Sequence, residues 1–425
     1  MKKVGIVICN YNKVQDVLDC IESVLASDFQ DFDLYVVDNA STDGSSEAIA
    51  KAYSENQVHL LQNAENLGGS GGFNTGIRTA YENGYPYIAC LDNDILVDKQ
   101  AIGALYEFME THRDVGIVGS KVYHREEPEY IQQFGLNLDF ERFGAKTLYA
   151  DYLDDETVPE VVYCDAVATC SVLVRREAIA KAGIMPEDNF IYWDDMEWSH
   201  RISMAGYKIA AYAKSKVWHR MGAINAAKSS FVNYYLWRNQ INFFMKYTPA
   251  DKLETMSVYL LQSVFDAMYE SMYREQHFSM NSIRYAFDDA LHFVRGKAED
   301  YKIAGPDCEN RRLEELAGEI HSYYIEENDK PECAKRLERL ISTWNEAAVR
   351  TKNEIEADVH FSLCDYVMYV RDIDMGKVYV DDTLNIIATE DDAMVVRHYD
   401  FSKSLFLYMN QNLFLDAAEK ISYKE

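Results

Sequence analysis

The first 120 residues alternate between two hydrophobic periods, and this limits the fold more than any other feature. Short, mostly apolar runs read as buried strands: VGIVIC (4–9), LYVVD (34–38), VHLLQ (58–62), YIACLD (87–92) and VGIVG (115–119). Between them, residues 14–26, 45–54, 72–83 and 99–111 carry apolar side chains at helical spacing. Buried strands joined by helices predict a mostly parallel sheet covered on both faces, the α/β class. Such sheets take ligands where the carboxyl ends of their strands open. Polar side chains gather at those ends: Asn10 and Asn12, Asp38 and Asn39, Asn66, Asp92 and Asp94.

Beyond residue 120 the alternation breaks. Residues 121–160 read as an irregular excursion or short hairpin. A strand (169–176), a helix (177–183), a short helix (195–205) and a strand (207–213) follow. From about residue 229 the chain turns aromatic and helical, with Pro249 as a stop. Residues 251–297 and 309–354 read as amphipathic helices, 376–400 as strand-like and 403–420 as helical. The expected division is therefore a domain over 1–228 and a mainly helical one over 229–425, with a short β segment near 376–400. A chain of 425 residues, 48% hydrophobic, has material for both cores.

The charge narrows the partners. The 70 acidic residues outnumber 42 basic ones, for a net −28 spread over both halves. Neither half offers a basic face for nucleic acid or anionic lipid. Eight scattered cysteines, with no CxxC spacing, suggest a reducing compartment. The apolar run after Lys2 and Lys3 is too short for a signal peptide, and none reaches the roughly 18–20 residues that span a bilayer. The expectation is a cytoplasmic protein.

Five stretches carry chemistry. In LDND, strand alternation would turn Asp92 and Asp94 to one side, where both can approach one divalent cation. An Asp-x-Asp pair alone is more often a pair of solvated loop acids, and the strand end is what sets this one apart. In DNASTDGSSEA (38–48), Asp43 reads as a helix cap, whereas Asp38 comes too early for that and can accept from a ring or sugar donor. The glycines of ENLGGSGGFNTGI (65–77) allow close approach of a ligand to the backbone, or simply a flexible turn. FIYWDDMEW (190–198) sets Asp194, Asp195 and Glu197 between Trp193 and Trp198. The helix dipole accounts for acids at a helix start but not for the indoles. An indole can wall a sugar site, and a carboxylate beside it can act as a base. His219, in VWHRMG, is an ordinary structural histidine unless the fold brings it to Asp94.

Taken in order through about residue 245, VICNYNK, VVDNASTDGS, NAENLGGSGGFNTGI, LDNDILV, FIYWDDMEWSHRISMAGYKI, WHRMGA and YYLWRNQ resemble family-2 glycosyltransferases of the GT-A fold. The likeness is greatest to the bacterial rhamnosyl- and galactofuranosyl-transferase branch, although that pattern often has Glu-Asp where this chain has Asp194-Asp195. The resemblance implies a Rossmann-like sheet flanked by helices and an inverting transfer from a UDP- or dTDP-sugar, galactofuranose or rhamnose. The acceptor would be a glycan or lipid-linked glycan in cell-surface polysaccharide synthesis. Residue by residue, it implies Asn10, Asp38, Asn66 and Asp92 at the nucleotide, and Asp92, Asp94 and His219 at Mn²⁺ or Mg²⁺. It implies Asp195 as base with Asp194 beside it, and Trp193, Trp198 and Arg201 near sugar or acceptor. Lipid-linked acceptors add peripheral association with the inner face of the membrane as an alternative to a free cytoplasmic protein. A rival reading is a sugar-nucleotide-binding or scaffold protein without catalysis, against which the intact acids and His219 argue. A nucleotidyltransferase would show a basic, Gly-rich loop where this chain has NYNKVQD.

Overall fold

The computed structural model describes residues 2–220, 229–307 and 310–422. Residues 221–223 of the WHRMGA motif and the expected boundary at 228 lie outside them. The N-terminal part runs β1 (Val4–Asn10), α1 (Val14–Leu25), β2 (Phe32–Asp38), α2 (Ser45–Ala52), β3 (His59–Gln62), α3 (Gly68–Glu82), β4 (Tyr87–Asp92), β5 (Ile95–Val97) and α4 (Ala101–Thr111). It continues through β6 (Val115–His124), β7 (Tyr130–Gln133), β8 (Leu136–Asp139), β9 (Gly144–Thr147), β10 (Tyr152–Leu153), β11 (Val161–Cys164), β12 (Ser171–Arg175), α5 (Arg176–Ala182), α6 (Asp194–Met204) and β13 (Lys208–His219).

Strands β3, β2, β1 and β4 lie side by side and parallel. Next to β4 comes β12, antiparallel to both β4 and β6. Alternate residues of β1 enter opposite cores, as period 2 requires. Val4, Ile6 and Ile8 pack with Val17 and Ile21 of α1 and Leu105 of α4, while Val7 packs with Phe73 and Ile77 of α3. The chain leaves β1 for β2 on one side and returns as β4 on the other. The carboxyl ends of β1 and β4 therefore border the crevice where open α/β sheets bind ligands. Asn93 donates across it to Asn10 Oδ1 at 2.7 Å.

The 121–160 excursion consists of small strands: β7 pairs with β6 and β10, and β8 with β9. The strand read at 207–213 runs on to His219 as β13, parallel to β6 and antiparallel to β5. The α/β class and the largely helical C-terminal region expected from sequence are both present.

The C-terminal region contains α7 (Ser230–Tyr247), α8 (Leu253–Tyr273), α9 (His277–Leu291), α10 (Arg312–Glu319), β14 (Ser322–Glu326), α11 (Pro331–Trp344), β15 (Val349–Arg350), β16 (Val359–Cys364), β17 (Val378–Asp381), β18 (Ile386–Ile387) and α12 (Glu390–Ile421). Its aromatic core takes in Trp193 and Phe143 together with Phe243 and Phe244 of α7, Leu260 of α8, Phe287 of α9 and Phe414 of α12. The helices thus cover the loop that carries the acidic motif. No described helix is long and apolar enough to cross a membrane.

Two readings of this region change. Residues 309–354 are not continuous helix, because SYYIE forms β14, buried at alternate positions, in a five-stranded sheet ordered β15-β14-β16-β17-β18. A five-residue strand between two amphipathic helices is too short to interrupt a helical pattern. The strand-like 376–400 stretch ends at β18, and α12 starts inside it. Thr389 accepts from Asp392 N while Asp392 reaches back to the Thr389 N–H, a capping box.

Candidate active site

The strand β4 ends at Asp92, and a turn then carries Asn93 and Asp94 into β5. Pairing of β5 with β13 sets His219 opposite Ile95, and so beside the turn. His219 Nε2 lies 3.1 Å from Asp94 Oδ1 and 4.0 Å from Asp92 Oδ2. One ligand atom from each of Asp92, Asp94 and His219 falls within 4.8 Å of the others. His219 Nδ1 meets Gln132 Oε1 at 2.9 Å, an acceptor, so Nδ1 carries the proton and Nε2 faces the carboxylates. Two hard carboxylates and an imidazole with its outer nitrogen already held fit Mn²⁺ or Mg²⁺.

Charge in this cluster is uneven. Burial and the neighbouring Asp94 push Asp92 up to about 6. Burial pushes Asp94 the same way, but its bond to His219 and the charges of His219 and Lys13 outweigh that and bring it down to about 2. Burial would lower His219, yet Asp94 and Asp92 raise it overall. Lys13 Nζ sits 2.5 Å from Asp94 Oδ2, from the loop that follows β1.

The acids of the second motif sit on a strained loop. Phe190, Tyr192 and Trp193 have φ of 69°, 63° and 63°, a conformation costly for bulky side chains. Two residues of α7 hold it. Asn239 donates to the carbonyls of Asn189 (2.9 Å), Ile191 (2.8 Å) and Tyr192 (3.0 Å), and Arg238 donates to Asn189 O at 2.9 Å. From the other side, Gly68 (φ 75°) approaches so closely that a Cβ there would lie 2.1 Å from Phe190 O. The glycine-rich stretch therefore serves as a seat for the acidic loop.

The loop delivers Asp194 and Asp195 to the first turn of α6. Ser70 donates to Asp194 Oδ2 at 2.9 Å. Asp195 accepts only from Met196 N, at 2.8 Å, among the described residues. Burial, then the charges of Asp194 and Asp92, push Asp195 up to about 7. Burial also raises Asp194, against the pull of its Ser70 bond. Glu197 is committed to structure: Lys246 Nζ lies 2.8 Å and Tyr247 OH 3.0 Å from its Oε1.

Two cavities of about 560 and 530 Å³ meet at Asp92, sharing Gly69, Phe73 and Ile191 as wall. The first is lined by Tyr11, Lys13, Asn39, Asn66 and Asp94, and closed by Tyr235 and Lys297 of the C-terminal region. The second is lined by Asp194, Asp195, His219, Gln132, Asp151 and Trp193. Asn10 and Asp38, expected at the nucleotide, are buried and line neither cavity. Asn10 Nδ2 lies 3.3 Å from Asp38 Oδ1, and Ser46 donates to Asp38 Oδ2 at 2.7 Å.

Two further expected contacts are not made. Trp198 is fully buried, its Nε1 donating to Gly183 O at 2.9 Å, and it lines neither cavity. Arg201 spends its guanidinium on the carbonyls of Ala182 and Ile184, at 2.6 and 2.7 Å, rather than orienting the acids. Both anchor α6 to the turn after α5. Trp193 packs on Phe243 and Phe244 but still borders the second cavity.

Residues 5–171 match the sequence profile of the family described as Glycosyl transferase family 2. This segment is similar to family 2 glycosyl transferases. The matched part holds Asn10, Asp38, Asn66, Asp92 and Asp94, whereas Asp195 and His219 lie beyond it. The chain is 22% identical over 208 residues to a poly-beta-1,6-N-acetyl-D-glucosamine synthase of Staphylococcus aureus, covering 49% of this chain and 47% of that one. It is 28% identical over 128 residues to the glycosyltransferase GlyG of Streptococcus pneumoniae, covering 30% and 41%. The chain thus spans about half the length, or less, of these curated relatives. Among solved structures it is similar to S. aureus TarS in complex with UDP-GlcNAc, at TM-score 0.45 and 15% identity over 69% of this chain and 81% of that one.

Several residues of the site carry no signal of their role in the sequence. Lys13 and Ser70 lie inside NYNK and GGSGG, and only the fold brings them to Asp94 and Asp194. Gln132 comes from the irregular excursion, and nothing in the sequence signals its bond to His219.

Proposed function

We propose that the chain is a metal-dependent, inverting glycosyltransferase. It moves a sugar from a nucleotide-sugar to a hydroxyl of a glycan or lipid-linked glycan in cell-surface polysaccharide synthesis. The observation that carries this is the position of Asp195, a carboxylate raised to about 7 in a cavity that adjoins the Asp92–Asp94–His219 cluster. The family 2 match and the polysaccharide synthase among its relatives support the reaction class.

We assign residues 1–228 to donor binding and catalysis, and 229–425 to a region that buttresses the site. The nucleotide takes the first cavity, where Asn66, held through its Oδ1 by Asn39, faces the nucleoside, and Asn10 and Asp38 brace one another in the interior. Asp92, Asp94 and His219 hold Mn²⁺ or Mg²⁺, which supplies positive charge beside the donor's diphosphate. The acceptor enters the second cavity along Trp193. Asp195 accepts the proton of the acceptor hydroxyl as that oxygen bonds to the anomeric carbon. The bond to the nucleoside diphosphate breaks on the opposite face, so configuration inverts in one displacement. Asp194, held by Ser70, keeps negative charge beside Asp195 and raises its affinity for the proton. The donor is UDP- or dTDP-linked, with galactofuranose and rhamnose the first sugars to test.

The test is release of nucleoside diphosphate from UDP- and dTDP-sugars by purified protein with Mn²⁺ or Mg²⁺. Release that depends on metal and acceptor supports the reading. Tight binding of a nucleotide-sugar without turnover, over a panel of glycan acceptors, would instead support the non-catalytic binder.

A further inference from the structure

The segment after α9 reaches from the C-terminal region to the first cavity, and it is fixed there. Arg238, fully buried, donates to Gly296 O at 2.7 Å with one nitrogen and to Asn189 O at 2.9 Å with another. One guanidinium thus ties this segment to the loop that carries the catalytic acids. Gly296 N donates to Asp188 O at 2.6 Å, and Ala298 N donates to Tyr235 OH at 2.8 Å. The Ser230 hydroxyl meets the carbonyls of Ile303 and Gly305 at 2.9 and 2.8 Å. Backbone held at this many points places its side chains reproducibly.

The cations near this wall are mostly committed. Lys302 pairs with Asp289 at 2.8 Å, Arg295 with Asp188 at 3.1 Å, and Lys13 with Asp94 at 2.5 Å. Lys297 differs. It lines the first cavity, and it has no hydrogen bond or ion pair with any described residue. In a chain of net charge −28, this exposed ammonium, on a segment pinned by backbone bonds and lining the same cavity as Asp92 and Asp94, is free to take an anionic ligand there. Asp300, on the same wall, opposes a bare anion, but a sugar-linked diphosphate also brings hydroxyls for that carboxylate to accept.

We propose that Lys297 binds the diphosphate of the donor, so that the C-terminal region forms part of the nucleotide-sugar site rather than only its support. This rests on the reading of the first cavity as the donor site. Lys297 is a binding residue for the leaving group, acting from the side away from Asp195.

The experiment measures affinity of the full chain for UDP, dTDP and GDP, and for uridine, thymidine and guanosine, with Mg²⁺ present, by calorimetry. For the tightest diphosphate, Lys297→Gln is expected to weaken binding about 10–100-fold, leave the matching nucleoside within about 2-fold, and be largely rescued by Lys297→Arg. Equal diphosphate affinity in wild type and Lys297→Gln overturns the proposal while the donor-site reading stands. Equal loss for diphosphate and nucleoside also overturns it, because the segment then only shapes the cavity. If wild type binds none of the diphosphates, the donor-site reading itself fails, and this inference with it.

Discussion

Ser70 donates to Asp194 at 2.9 Å across 124 residues of chain, whereas Asp195, one residue on, takes only a backbone N–H. The pair is thereby divided into a held carboxylate and one left to act. Two adjacent acids with unequal partners titrate apart, and the one with fewer donors has the higher affinity for a proton.

That asymmetry sets the pH dependence. A base works only when ionised, and burial with the Asp194 charge moves Asp195 up to about 7. Turnover should therefore fall as pH drops through about 7 and level off above it, the reverse of what a catalytic acid would give. A profile of nucleotide release from pH 5 to 9 measures this. Ser70→Ala removes a bond that favours ionised Asp194, and is expected to slow turnover by less than about 10-fold without loss of fold.

The same shift predicts a stability effect. A carboxyl with its folded pKa raised from 3.8 to about 7 costs stability, fully above pH 7 and not at all below about pH 4. Asp195→Asn should then stabilise the metal-free protein by about 2–4 kcal/mol at pH 8, the gain vanishing near pH 4. Thermal denaturation at the two pH values reads it.

The loop that presents the acids depends on Asn239 and Gly68. Asn239→Ala leaves the carbonyls of Asn189, Ile191 and Tyr192 without that donor, and is expected to cost about 3 kcal/mol. Gly68→Ala forces a methyl to 2.1 Å from Phe190 O at a φ of 75°, and is expected to cost about 2–3 kcal/mol. Both should lower turnover more than nucleotide affinity. Denaturant unfolding with parallel kinetics checks each.

Metal binding should depend on a residue that is not itself a ligand. Gln132 fixes the His219 tautomer through Nδ1, so Gln132→Ala is expected to weaken Mn²⁺ binding about 10–100-fold. His219→Ala should weaken it at least as much, and a chelator should halt turnover reversibly. Titration of Mn²⁺ by electron paramagnetic resonance follows the two variants, and nucleotide release before and after Mn²⁺ is added back follows the chelator.

What sequence could show here was set by range. Strand and helix periods are local, so β1 to β4 and α1 to α4 fall close to where the hydrophobic pattern places them. Asp92, Asp94 and His219 meet because β5 pairs with β13, and that pairing leaves no local trace. Trp198 and Arg201 misled because a motif marks what recurs near a site, whether it touches substrate or braces the helix that does. The strand β14 was lost inside a helical pattern, although the Thr389 capping box was present in the sequence as a start signal for α12.

The central claim is that Asp195 removes the proton from the acceptor. It is tested most directly by comparing Asp195→Asn with wild type in both donor binding and nucleotide release. The account predicts donor affinity within about 2-fold of wild type and release slowed by about 10²–10⁴-fold. Release within about 10-fold of wild type, in a variant that folds and binds donor normally, would contradict it.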